Sequence, residues 1–242
     1  MFHQLRGLLL LSVALLSFPI SAVNAEKETG KGIVLKPGQP YFYVTHDGWS
    51  VKVERIQDPE YVLRGYFAKT ARNCPPFCIQ PIDVAPGIKT IGELELFQFM
   101  ENGLRRGTGL LIDARTPAWH KKGTIPGSTS IPFTIFHKNS NDPEVITLFQ
   151  KFGATPRSNI GFFRELMEEW ELIDTTHLTR SWNFTKAKNL VLWCNGPACG
   201  QSPRAIKGLL KLGYPADKIA YYRGGMQMWQ LFGLTTVKPG KK

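Results

Sequence analysis

The sequence predicts an α/β protein, built on a mostly parallel sheet with helices on both faces and preceded by a small antiparallel β unit. Three observations lead there. From Thr90 onward, segments of helical period alternate with strand-like segments, the order that builds parallel sheets. Residues 189–193 (Asn-Leu-Val-Leu-Trp) are an apolar run without alternation, as expected of a strand covered on both faces. Residues 41–46 and 49–54 are β-rich runs separated only by Asp47-Gly48, a two-residue hairpin signal because glycine tolerates positive φ.

Taken in order, the chain opens with the pattern of a secretory signal. Arg6 supplies the charge, residues 7–18 are apolar and Leu-rich, Pro19 breaks the run, and Val23-Asn24-Ala25 offers small residues for cleavage. Residues 1–25 therefore read as a signal peptide cleaved after Ala25. The apolar run is short for a span, so the expectation is an exported, most simply periplasmic, protein with no stable membrane span. Residues 26–86 read as a small β-rich N-terminal unit. Residues 26–39 are polar, the hairpin follows, and a third run at 61–67 is expected to extend it into a meander. Cys74-Pro75-Pro76-Phe77-Cys78 comes next, then a linker at 79–87.

Residues 87–242 form the main domain. Thr90 with Glu93 has the spacing of a capping box, opening an amphipathic helix that ends near Gly103. Residues 110–112 are a buried strand running into Asp113-Ala114-Arg115. Asp142-Pro143 starts a helix that Gly153 stops. Residues 160–172 read as another, with Phe162, Phe163, Leu166, Met167 and Trp170 on an apolar face. Residues 219–222 are a strand, Arg223-Gly224-Gly225 a turn, and residues 226–232 a last helix.

The chemistry concentrates after residue 193. Cys194 ends the apolar strand, and a loop of small and turn-forming residues follows. Ser202 then fits an N-cap and Pro203 the first helical position. Ala205, Ile206, Leu209, Leu210 and Leu212 mark the helix's apolar face, and Gly213 marks its end. A cysteine at the C-terminal end of a parallel strand sits where open α/β sheets bind ligands. Backbone N–H groups and the helix dipole favour thiolate over thiol there. Cys194 is thus the expected nucleophile, with Asn195, Gly196, Ala198, Gly200, Gln201, Ser202 and Arg204 cradling an anionic substrate. The competing reading is a buried structural cysteine.

Composition narrows the partners. The 242 residues carry a formal net charge of +11, but Lys and Arg are scattered. That favours attraction of small anions over nucleic-acid binding. No dense His/Cys cluster points to a metal, and no cofactor motif stands out. The four cysteines form two close pairs, Cys74 with Cys78 and Cys194 with Cys199. Both pairs are disulfide candidates in an oxidising compartment, and sequence does not choose among the three connectivities. The Cys74–Cys78 segment reads as a structural disulfide or as a piece lying near the active loop. His120, between Trp119 and two lysines, reads as a surface histidine. Asp113 and Arg115 read as an ion pair holding the strand end, and Arg223 as an anion contact.

Several blocks together resemble the rhodanese-like family. They are Leu111-Ile112-Asp113-Ala114-Arg115 with Gly123-Thr124-Ile125-Pro126-Gly127-Ser128, then Leu192-Trp193-Cys194 with its loop and helix, then Leu212-Gly213-Tyr214 and Arg223-Gly224-Gly225-Met226 with Trp229. The match runs from about residue 90 to 237. The N-terminal cysteine pair is similar to that of some exported family members. The resemblance implies a sulfurtransferase: Cys194 takes sulfane sulfur from an anionic donor such as thiosulfate, holds it as a persulfide, and passes it to a thiol or protein acceptor. Relative to a minimal family domain, residues 137–186 are an insertion that would roof the site or bind a partner.

The loop departs from the family pattern. It is longer from Cys194 to Ser202, Gln201 stands where a basic residue is usual, and Arg204 is the nearest substitute. A longer loop also marks the related cell-cycle phosphatases, but their arginine is missing at the matching place. Cys199 is the second departure. It could resolve a Cys194 persulfide, releasing sulfide and leaving a disulfide, or complete a dithiol redox site. The alternative expectation is therefore a catalytically altered module working as a Cys194/Cys199 thiol-disulfide or protein-binding domain.

Overall fold

The computed structural model describes residues 32–157 and 160–240. The expected signal peptide lies outside them. The secondary structure runs β1 (Tyr41–His46), β2 (Trp49–Glu54), β3 (Lys89–Ile91), α1 (Glu93–Phe99), β4 (Gly109–Asp113), α2 (Pro117–His120), β5 (Ser128–Ser130), α3 (Pro143–Lys151), β6 (Thr155–Pro156), α4 (Phe162–Glu169), β7 (Trp182–Asn183), β8 (Asn189–Trp193), α5 (Gln201–Lys211), β9 (Ile219–Tyr222) and α6 (Gly225–Leu231). Five strands form one parallel sheet in the order β3-β9-β8-β4-β5. The α/β class with a small antiparallel unit ahead of it is the architecture observed.

β8 lies at the centre of the sheet, between β9 and β4. Its side chains point to two different cores. Leu190 and Leu192 join Ile112, Ile219 and Tyr221 under α3 and α5, against Val145, Phe149, Ala205, Ile206 and Leu209. Val191 and Trp193 join Leu111 and Tyr222 under α1 and α6, against Leu96, Phe97, Met226 and Trp229. Both faces are covered, so the strand has no polar side and reads as an unbroken apolar run. Burying one such large side chain contributes about 1.5–3 kcal/mol.

The hairpin β1–β2 packs into the second of these cores through Phe42, Val44 and Val53. Its turn places Asp47 at φ 48° and Gly48 at φ 82°, the pair of positive values a two-residue turn needs. The C-terminal segment fastens it, with Glu54 and Thr235 exchanging backbone and hydroxyl hydrogen bonds.

Four expectations are corrected. The run at 61–67 adds no third strand: residues 61–65 are irregular and Tyr66–Ala68 is a single 3-10 turn. Tyr61 and Val62 are exposed there, so no core holds them as a strand. Thr90 is not a cap, because it belongs to β3. Helix α1 instead starts after Gly92, whose N–H donates to the Glu95 carboxylate at 3.0 Å. The helix expected at 160–172 shortens to Phe162–Glu169, and its apolar face is not buried. Phe162 is 81 % and Phe163 73 % exposed. Ser202 is not an N-cap either, for a reason that belongs to the site. Among the described residues, no helix is long and apolar enough to cross a membrane.

Candidate active site

Cys194 leaves the sheet at the C-terminal end of β8 and is 2 % exposed. The loop after it is held from behind by α6. Met226 and Gln227 donate backbone N–H to the carbonyls of Cys194 and Asn195, at 2.9 and 3.0 Å. Gly225 makes this approach possible. Its φ is 55°, and a Cβ there would run into the Cys194 carbonyl. Gly196, at φ 143°, is equally constrained, since a Cβ would lie 2.8 Å from Gln227 Cβ.

Helix α5 begins at Gln201, with Gly200 as N-cap. This shifts Ser202 inside the first turn, where its hydroxyl meets sulfur rather than capping backbone. Ser202 Oγ donates to Cys194 Sγ at 2.9 Å. Burial alone would disfavour the Cys194 thiolate. Hydrogen bonds from the Cys199 thiol, the Ser202 hydroxyl and the N–H groups of Ser202 and Gly196 outweigh it, holding the Cys194 pKa at about 7. Cys199 moves the opposite way. Its interaction with the Cys194 sulfur, and then burial, push its thiol far up, so it stays protonated beside a Cys194 thiolate. Both cysteines are free thiols, and the Cys199 carbonyl lies 3.2 Å from Cys194 Sγ.

A cavity of about 210 Å³ opens beside this loop. Asn195, Gly196, Ala198, Cys199, Gly200, Gln201 and Arg204 line one side, with Gln227. Cys194 does not line it; Cys199, half-buried, does. The Cys199 thiol is held toward Gln201 Oε1 at 3.6 Å. Arg204 is exposed, bonds the Gly200 carbonyl at 3.1 Å and stacks over Phe133. The second side of the cavity comes from Pro76 and Phe77, in the cysteine-flanked segment expected near the active loop, and from Tyr66, Arg72 and Trp119, which the sequence reading did not place there. Tyr66 and Trp119 pack ring to ring at 4.5 Å, and Arg72 lies over Tyr66 at 4.0 Å. Arg72 lies two residues before the Cys74–Cys78 pair, which forms a disulfide with a Cα separation of 4.6 Å, whereas no local sequence signal tied Tyr66 or Trp119 to the loop.

The 79–87 stretch is not a free linker at its start. Gln80 N–H donates to the Pro197 carbonyl at 2.8 Å, and the Gln80 carbonyl accepts from Arg223 Nη2 at 2.7 Å. Arg223 therefore clamps this segment and is not in the cavity wall, contrary to the anion-contact expectation. Among the described residues, none of the 137–186 insertion lines this cavity, so they do not roof it. They contribute Val145, Phe149, Trp182 and Phe184 to the α3–α5 core.

Behind the loop sits a buried polar cluster. Arg115, 1 % exposed, bonds both oxygens of Asp113 at 2.8 and 2.7 Å and reaches Asn195 Oδ1 at 3.3 Å. Thr124 and His120 complete the shell around Asp113 at 3.0 and 2.9 Å. His120 is thus a partner of Asp113 and not a lone surface histidine. Burial opposes ionisation of Asp113, but these bonds hold its carboxyl below the usual carboxylate range. Arg115 also stacks on the Trp193 ring at 4.6 Å, tying Cys194's neighbour to the same cluster.

The fold and the site together describe an α/β protein with a cysteine at the C-terminal end of its central parallel strand, its thiolate favoured by hydrogen bonds from the loop and helix that follow. The rhodanese-like domain family matches over residues 97–231, more than half of the chain, and the chain belongs to that family. Solved structures similar to it include a Rhodopseudomonas palustris protein described as a possible tyrosine phosphatase (19 % identity, 62 % of this chain and 85 % of that one, TM-score 0.40). Others are thiosulfate sulfurtransferase from Pseudomonas aeruginosa (16 %, 64 % and 21 %, 0.35) and a human single-domain sulfurtransferase (19 %, 59 % and 95 %, 0.32). No curated protein matches the chain.

Proposed function

We propose that this rhodanese-like protein is an exported sulfurtransferase that carries sulfane sulfur on Cys194. The observation that carries the reading is the Cys194 sulfur with the Ser202 hydroxyl at 2.9 Å and the Ser202 and Gly196 N–H groups turned toward it. Such donors favour a thiolate and then a persulfide anion in the same place. With thiosulfate as donor, the Cys194 thiolate attacks the outer sulfur, the sulfur–sulfur bond of the donor breaks, and sulfite leaves with the electron pair. A thiol or protein acceptor then attacks the terminal sulfur and frees the Cys194 thiolate. Arg72 and Arg204 on the cavity wall supply positive charge for the anionic donor and the sulfite it releases. Export is supported by the apolar stretch after Arg6 and by the Cys74–Cys78 disulfide, a linkage that persists in oxidising compartments.

The test is thiocyanate production from thiosulfate and cyanide by reduced protein, with Cys194→Ser as control. Activity in the parent and none in the variant is the expected result. No thiocyanate, together with no persulfide on Cys194 by mass, overturns it.

A further inference from the structure

Resting on that reading, we infer that Cys199 turns the site into a sulfane reductase: it attacks Cys194 in its persulfide form, releases sulfide, and leaves a Cys194–Cys199 disulfide. Three features of the site lead there. The nucleophile and the cavity are separated, because Cys194 is 2 % exposed and absent from the cavity wall, while Cys199 lines it. Cys199 is also wrapped onto the same sulfur atom, with its carbonyl 3.2 Å from Cys194 Sγ and its thiol beside it, close enough to favour the Cys194 thiolate. Finally, the loop is built to keep that contact: the Cys199 N–H donates to the Gly196 carbonyl at 2.9 Å, closing a turn across Pro197 and Ala198.

The step balances within the site. Cys194 carries the persulfide as Cys194–S–S⁻, and Cys199 begins as a thiol. The Cys199 sulfur bonds to the inner sulfur, the Cys194 Sγ that the Cys199 backbone carbonyl already meets at 3.2 Å. The inner–outer sulfur bond breaks, and the outer sulfur leaves as HS⁻ carrying the Cys199 proton. The outer sulfur is reduced by two electrons and the two cysteine sulfurs are oxidised to the disulfide. The departing sulfur is itself the base for the Cys199 proton, so no further general base is required. A soluble dithiol, entering by the cavity that Cys199 faces, resets the pair to two thiols.

The experiment is a single turnover. Reduced mature protein, kept anaerobic, receives one equivalent of thiosulfate, and sulfide release and intact mass are followed together. The parent protein is expected to release about one equivalent of sulfide and to end about 2 Da lighter, as the disulfide. Cys199→Ser keeps a hydroxyl donor beside Cys194, and is expected to hold a gain of about 32 Da on Cys194 and release no sulfide. A parent protein that retains the extra sulfur without releasing sulfide overturns the inference and leaves the sulfurtransferase reading standing. Peptide mapping that finds the extra sulfur on Cys199 and none on Cys194 overturns both the inference and the Cys194 reading on which it rests. A Cys199→Ser protein that folds but never gains sulfur overturns both.

Discussion

Ser202 donates its hydroxyl hydrogen to the Cys194 sulfur across 2.9 Å, from the second position of a helix whose first residue is Gln201. A hydrogen bond to a charged group contributes about 1.5–3 kcal/mol, and one pKa unit corresponds to about 1.4 kcal/mol. Ser202→Ala should therefore raise the Cys194 pKa by roughly one to two units. The rate of alkylation against pH reads this directly, and an unmoved midpoint would count against the hydroxyl as a thiolate donor.

In the parent protein the same profile should have its midpoint at about 7. Cys194 is an acid whose pKa is lowered by folding from an ordinary thiol value near 8.5. Its thiolate bonds therefore add stability above that value, and the contribution is lost as pH falls through about 7. Sulfur loading follows thiolate, so its rate should rise from pH 6 to 8 and level off. A rate independent of pH across that range would place the limiting step elsewhere.

The Asp113–Arg115 pair behind the loop predicts a stability effect. Asp113→Asn leaves the buried Arg115 guanidinium without its counter-charge, a change that costs about 3–5 kcal/mol. Urea unfolding at neutral pH measures it, and a loss under about 1 kcal/mol would contradict the ion pair's role. In the parent, the carboxylate's contribution is present above the normal carboxylate range and fades as pH drops below it, because folding lowers the Asp113 pKa.

Gly225→Ala should damage the site more than the sheet. The new methyl group meets the Cys194 carbonyl, and its φ of 55° disfavours any side chain by about 1–2 kcal/mol. The expected result is a folded protein, by circular dichroism, whose sulfur loading falls more than about tenfold as the Met226 and Gln227 bonds to the loop are displaced. Full loading at the parent rate would show that α6 does not set the loop.

Arg72→Ala tests the cavity wall. Removing one cation from it should lower kcat/KM for thiosulfate roughly tenfold, mostly through KM. The alkylation midpoint of Cys194 should stay where it is, since Arg72 bonds the Tyr66 carbonyl and not the sulfur. A shifted midpoint would instead mean that the substitution disturbs the loop itself.

The residue pattern alone specified the central strand of the sheet and placed Cys194 at its end. An apolar run such as residues 189–193 needs cover on both faces, and that forces a central parallel strand with Cys194 at its ligand-binding end. Gly224-Gly225 likewise marked the turn that leads into the last helix. Local signals misled where a side chain had a better distant partner: Ser202 looked like a cap but turns to sulfur, and His120 looked exposed but bonds Asp113. The cysteine-flanked segment was a candidate neighbour of the loop, but folding alone selects which side chains line the cavity. Arg72 and Phe77 lie more than a hundred residues before Cys194, and no periodicity links them to it. Their place in the cavity comes from the Gln80 clamp, with Pro197 on one side and Arg223 on the other. The fate of the four cysteines was decided the same way. Pairing depends on where folding puts the sulfur atoms, and it joins Cys74 to Cys78 while leaving Cys194 and Cys199 as adjacent free thiols.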